Sequence, residues 1–307
     1  WVWIKRRNAS YAHPVMDTVR GLNSGHAGVL YTNATNSEDT GATSSIRSFN
    51  SDGFNLGTDG GVNYSGSTYV GWAWDAGSST VSNTDGSITS SVRANQTAGF
   101  SIVSYAGTGS NATVGHGLST APHLYIVKNR TNTYEWGVYH IEIGTGAAQN
   151  LNYSNNNSVS NTWWNNTAPT NSVFSIGTYA AVNQSSANFI AYCFAPVAGF
   201  SAFGKAVGNN SSNGPFVFTG FRPRFIIWRP TASGHSWMLI DTARDTYNIA
   251  DATLRAQSSN AESHFDWGDV LSNGFKIRNT DTNPNGVDII WAAWAENPFQ
   301  ANGGLAR

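Results

Sequence analysis

One pattern recurs three times along the 307 residues of this chain, and it constrains the fold more than any single motif, because diverged copies of one unit should fold alike. Apolar runs ending in a basic residue stand at Trp3-Ile4-Lys5, Ile126-Val127-Lys128 and Ile227-Trp228-Arg229. Eight residues after each basic residue come His13, Trp136 and Trp237; twelve after it come Asp17, His140 and Asp241. Further on, Asp52-Gly53-Phe54-Asn55-Leu56, Ser172-Val173-Phe174-Ser175-Ile176 and Asn273-Gly274-Phe275-Lys276-Ile277 share a pattern. Trp74 and Phe194 follow the first two phenylalanines by twenty residues, and Trp294 follows the third by nineteen. Each of these aromatics closes an apolar segment.

The second and third copies open alike when Gly99-Phe100-Ser101-Ile102-Val103-Ser104-Tyr105 is set against Gly214-Pro215-Phe216-Val217-Phe218, and Pro122 and Pro223 each precede the basic residue by six. The spacing therefore divides the chain into residues 1–77, lacking an opening strand and read as N-terminally incomplete, 98–200, and 214–299. Ser78 to Thr97 and Ser201 to Asn213 are rich in Ser, Thr, Asn and Gly and read as loops between modules. Within modules, segments of five to eight β-branched and aromatic residues between Gly, Asn, Ser and Pro clusters read as antiparallel strands. Ile249 to Ala256 alone reads as helical. The expected fold is all-β, with tandem β-sandwich (jelly-roll-like) modules as three diverged repeats, end to end in an elongated rod. With nothing before Trp1, the strand Trp1 to Lys5 is expected to present a bare edge that another strand completes.

Only 11% of the residues are charged, against about a quarter in an average domain. The net charge is −1 and no basic cluster exceeds Lys5-Arg6-Arg7, so the electrostatic footprint of a nucleic-acid binder is missing. No apolar run approaches the ~18 residues of a membrane helix, and membrane insertion is not expected. The single cysteine, Cys193, rules out an internal disulfide and, between Tyr192 and Phe194, reads as a small buried hydrophobe.

The sharpest polar repeat is Asp17-Thr18-Val19-Arg20 and Asp241-Thr242-Ala243-Arg244. Asp241, Arg244 and Asp245 have the chemistry to bind a saccharide or cation. The internal alternative is that the aspartate pins a turn through backbone amides and pairs with the arginine three residues on. The second copy has His140 and Glu142 there, which argues against a shared site. Trp163-Trp164, flanked by Asn161, Asn165 and Asn166, is a second candidate ligand site, since neighbours in a strand face opposite ways and one ring would be exposed to stack on a sugar; the competing reading is core plus edge. Asp245, Asp251, Glu262, Asp266 and Asp269 could supply the carboxylate pair of a glycoside hydrolase, but loop acids are usually only solvated. The seven histidines show no metal-ligand spacing, and His116 in Gly115-His116-Gly117 reads as a loop residue. No serine elbow, phosphate loop or Cys/His pair occurs. No catalytic residue, metal or cofactor is expected.

Ser51-Asp52-Gly53-Phe54, Val62-Asn63, Thr113-Val114-Gly115-His116-Gly117-Leu118 before Pro122, Gly214 through Pro223, and Ala295-Glu296-Asn297-Pro298-Phe299 together resemble a repeat family of large virion structural and tail-fibre-like proteins of marine bacteriophages, which carry a domain of unknown function. The resemblance covers essentially the whole chain. It implies a non-enzymatic virion appendage, on the virion surface or otherwise extracellular. The partners it implies are further copies of the chain in a homo-oligomer such as a trimer, other virion proteins, and a glycan of the host surface. A secreted bacterial adhesin or carbohydrate-binding module, and a polysaccharide depolymerase, are the alternatives.

Overall fold

Strands that are apolar on both faces must bury both, and this requirement organises the molecule. The computed structural model describes residues 1–23, 25–41, 44–155 and 158–297, so Pro298 and Phe299 of the closing motif lie outside the described residues. It holds three principal antiparallel sheets. The first runs Leu30–Tyr31, Pro14–Met16, Val2–Arg6, Tyr69–Ala73. The second contains Ala147–Asn150, Gly137–His140, Leu124–Asn129, Asn188–Phe194 and Phe100–Ala106 in that order, extended by Ser158–Val159 at one end and by Ser90–Asn95 and Val81–Asn83 at the other. The third contains Ala250–Arg255, Met238–Asp241, Pro223–Pro230, Asp288–Ala295 and Ser201–Val207, and continues past Ala250–Arg255 through Ser263–Leu271, Gly274–Ile277 and Phe216–Phe218.

Four strands thus recur in one order, and the registers agree. Trp3, Ile126 and Ile227 face Val15, Val138 and Leu239 on one side and Trp72, Tyr192 and Ala292 on the other. Outer layers cover the far faces. Ala112–Gly115 pairs with Val173–Ile176 over the second sheet, and Ile46–Phe49 pairs with Phe54–Leu56 over the first. Phe174 and Phe275 are fully buried, whereas Phe54 is only half-buried against the smaller outer cluster of the first sheet.

The sheets do not succeed one another along a rod. Their inner faces share one core that takes Trp1, Trp3 and Trp72 from the first, Phe100, Tyr192 and Phe194 from the second, and Phe225, Ile227 and Trp294 from the third. Trp74, Phe194 and Trp294 meet at its centre, with ring centroids 5.3 to 6.0 Å apart. A rod of separate sandwiches would leave these inner faces wet.

Four further expectations change. Ser201–Val207 is a strand paired along Asp288–Ala295, not part of a linker, and Ser90–Asn95 pairs with Phe100–Ala106. The strand matching Phe100–Ala106 is therefore Ser201–Val207. Both follow the same letters, Ala98-Gly99-Phe100-Ser101 and Ala198-Gly199-Phe200-Ser201, and both glycines take left-handed φ, 63° and 73°. Phe216–Phe218 corresponds instead to Ala112–Gly115, each pairing with the phenylalanine strand behind it. Ala250–Arg255 is a strand, because ladders on both sides and burial of Ala250, Ala252 and Leu254 override helix propensity; the short helix is Ala180–Asn183. Val2–Arg6 is flanked on both sides, so no bare edge lies there; the terminal strands of its sheet are Leu30–Tyr31 and Tyr69–Ala73. Among the described residues no helix is long and apolar enough to cross a membrane.

Candidate functional site: polar junctions between the sheets

The three basic landmarks sit in the middle of their sheets, where an unpaired charge is costly. Lys5, Lys128 and Arg229 are fully buried, and each donates to three backbone carbonyls, although the Nε of Arg229 is left without a partner. Lys5 Nζ donates to Arg6 O at 2.6 Å, Ala9 O at 3.3 Å and, across to the third unit, Ser259 O at 3.2 Å. Lys128 Nζ donates to Asn129 O and Tyr134 O at 2.9 Å and, across to the first unit, Thr35 O at 3.0 Å. Arg229 donates to Asn150 O at 3.1 Å, Tyr153 O at 2.9 Å and Asn155 O, all in the second unit. The crossings form a closed cycle. Burial pushes both ammonium groups down to about 8 and the Arg229 guanidinium to about 10. The indoles of Trp136 and Trp237 make crossings in the same sense, to Tyr31 O at 3.0 Å and Asn150 O at 2.9 Å.

A second cycle runs the other way. One oxygen of Asp17 accepts the amides of Val19 and Arg20; the other accepts Arg20 Nε at 2.5 Å and the hydroxyl of Tyr192, from the second sheet, at 2.8 Å. Asp241 repeats this with Ala243, Arg244 and, from the first sheet, Trp72 Nε1 at 3.1 Å. Arg20 and Arg130 share Glu38, at 2.9 and 2.7 Å, while Arg244 and Arg7 share Glu262, both at 2.7 Å. Burial alone would raise the Asp17 carboxyl, but the Arg20 guanidinium and amides outweigh it and hold it below the usual range. The side chains of Asp241 and Arg244 are 3% and 2% exposed, so neither presents its charge to a ligand in this conformation. The sequence pattern singled out Glu262 only as a candidate hydrolase acid and did not single out Glu38, and neither was expected as an arginine partner. The signal was there, since each lies eighteen residues after its arginine.

In the second unit His140 replaces the aspartate. Its Nδ1 accepts the Glu142 amide at 3.2 Å, which leaves Nε2–H to donate to Trp291 O of the third sheet at 3.1 Å. Burial lowers its pKa from 6.5 to about 4. Because the folded value lies below the unfolded one, the unfolded chain binds the extra proton between them. Stability from this residue is present above pH 6.5 and falls as pH drops towards 4, by roughly 3 kcal/mol. His13, also buried and lowered, adds the same sign. Urea denaturation of His140→Gln at pH 7.5 and 4.5 is expected to show a shallower acid loss than the parent; an identical loss would remove His140 from the account.

Trp163 and Trp164 lie in a turn, not a strand, and both rings are buried, at 1% and 0% exposure. Asn165 and Asn166 adopt left-handed φ, so the chain reverses and the rings need not alternate. Their indoles donate to Ser158 Oγ and Ala147 O, each at 3.0 Å, and no ring face is left for a sugar. His116 is buried and locks its loop to Leu118 N and Thr170 O. Four of the five candidate acids of the third unit are separately engaged, Asp245 by Ala252 N, Asp251 by His264, Glu262 by two arginines and Asp269 by Arg278, while Asp266 is exposed. Among the described residues no group of three or more His, Cys, Asp or Glu could hold a metal ion.

One family model, described as a domain of unknown function (DUF7483), matches residues 1–298 and so spans all three sheets. No curated protein and no solved structure matches the chain. A model covering nearly the whole sequence identifies the family: the chain belongs to DUF7483.

Proposed function

We propose that this protein is a non-enzymatic structural module of a virion-surface or other extracellular appendage, in keeping with its resemblance to tail-fibre-like proteins, and that its outer surfaces meet other copies, other particle proteins and the host. The observation that carries this reading is the use made of its sharpest polar motifs. The buried basic residues and both Asp-x-x-Arg units are spent on ties between sheets, with their donors and acceptors turned inward. The inner apolar faces are likewise closed within one chain, so the self-association proposed here would use outer surfaces such as the terminal strand on which Phe216 and Phe218 stand 46% and 65% exposed. A secreted adhesin would share these features; a depolymerase would need a carboxylate pair free to act.

Two measurements together test the proposal. Mass spectrometry of purified particles from the source of the sequence is expected to contain the chain, and the purified protein is expected to release no reducing sugar from bacterial surface glycans. Sustained release would overturn the non-enzymatic reading, and absence from particles would overturn the virion reading.

A further inference from the structure

The strands Ala250–Arg255 and Ser263–Leu271 pair with Thr253 opposite Ser263. Alternation places Thr253 and Arg255, and Ser263 and Phe265, on one face, while Leu254 turns into the central core from the other. Between them, closed by the loop that carries Ser258, Asn260 and Ala261, lies a cavity of about 150 Å³. The loop is held in place from several sides. Ser258 N donates to Arg255 O at 3.0 Å, Ser259 O accepts Tyr11 N at 2.8 Å as well as Lys5, and Glu262 N donates to Arg7 O at 2.8 Å.

Arg255 is the anomaly. Arg7, Arg20, Arg130 and Arg244 all reach carboxylates, and Arg229 reaches carbonyls. The guanidinium of Arg255 makes no ion pair or hydrogen bond among the described residues, and its carbon lies 5.8 Å from the centre of the Phe265 ring. Its Nε, like that of Arg229, is buried without a partner, but Arg229 still donates to three carbonyls whereas Arg255 donates to none. The acids of the same strand and of the following loop do not pair with it, since Asp251 is held by His264 and Glu262 by Arg7 and Arg244. A preformed cleft that leaves a guanidinium unpaired is arranged for an anion from outside.

We propose that this cleft binds the carboxylate of an acidic saccharide such as a uronic acid. The fork of Arg255 matches a carboxylate, Phe265 offers an apolar face to the sugar ring, and Thr253, Ser258, Ser263 and Asn260 supply partners for its hydroxyls. The volume suits one ring, so affinity is about millimolar for a single sugar and rises only when several sites engage one polymer. The proposal deepens the surface-module reading and rests on it only for where the sugar comes from.

The test is an amide chemical-shift titration of the full chain with glucuronate, glucose and inorganic phosphate. Glucuronate is expected to shift amides between residues 253 and 265 with an affinity at least about tenfold above that of glucose or phosphate. Arg255→Gln is expected to abolish the shifts. Should Arg255→Gln fail to fold, Ala261→Trp, which keeps Arg255 and fills the cleft, is expected to abolish them too. Equal binding of glucose or phosphate, shifts mapping elsewhere, retention in either folded variant, or no shift well above millimolar glucuronate would each overturn the site. None of these bears on whether the chain is found in particles, so the two readings fail separately.

Discussion

Replacing Phe194 by alanine is expected to destabilise all three sheets together, by about 3–5 kcal/mol. Phe194 is 2% exposed and contacts rings from every sheet: Phe100 at 4.8 Å in its own, Trp74 at 6.0 Å in the first, Trp294 at 5.3 Å in the third. The centre already contains a void of about 20 Å³ lined by Trp74, Phe194, Phe225 and Trp294, with no polar group among these four side chains to attract water into the enlarged space except the indole nitrogens. Truncation therefore removes contacts that the surroundings cannot easily replace. Hydrogen exchange across the denaturation profile distinguishes a shared core from independent modules. With a shared core, protection falls in residues 2–6, 124–129 and 288–295 alike. If only the second sheet lost protection, the common core would not be the unit of stability.

Arg20→Met is the second large effect, again about 3–5 kcal/mol, and its signature is a dependence on pH. The Arg20 side chain is fully enclosed and supplies donors to Asp17, Glu38, Gly28 O and Val15 O. Methionine fills much of the space but leaves Asp17 as a buried carboxylate without its cation. In the parent chain the Asp17 carboxyl is held below its usual range, so its contribution is present above the unfolded pKa and is lost as pH falls through the folded one. In the variant burial raises that pKa, and protonation relieves the charge. The loss should consequently be larger at pH 7.5 than at pH 4, and Asp17→Asn combined with Arg20→Met should recover part of it. A loss below about 1 kcal/mol, as for an exposed pair, or one independent of pH, would contradict the buried-pair account.

Much of the strand content was legible in the residues alone. Spacing picked out Lys5, Lys128 and Arg229, which the structure places in the same position of three ladders, and Trp74, Phe194 and Trp294, which close the strands and meet at the centre. Other equivalences are masked by divergence of the polar residues around them. The Gly-Phe-Ser opening at Gly199 is followed by Gly, Asn and Ser of linker composition, yet ladder pairing with Asp288–Ala295 makes it a strand. The pair Trp163-Trp164 was judged by strand geometry, but left-handed Asn165 and Asn166 make a turn there.

By itself, then, the order of residues determined which positions are apolar, which segments are extended, and which polar residues recur at set intervals, because side-chain size, β-propensity and spacing are local properties. It did not determine what each buried face is buried against. Lys5 meets Ser259 across 254 positions of chain, Asp241 meets Trp72 across 169, and the Nε of Arg255 goes without a partner. Such partners lie far apart in sequence, and a hydrophobic pattern specifies burial without direction. Only the closing of three sheets around one core turned repeated residues into two opposed cycles of ties and left the guanidinium of Arg255 unpaired in a cleft among the described residues.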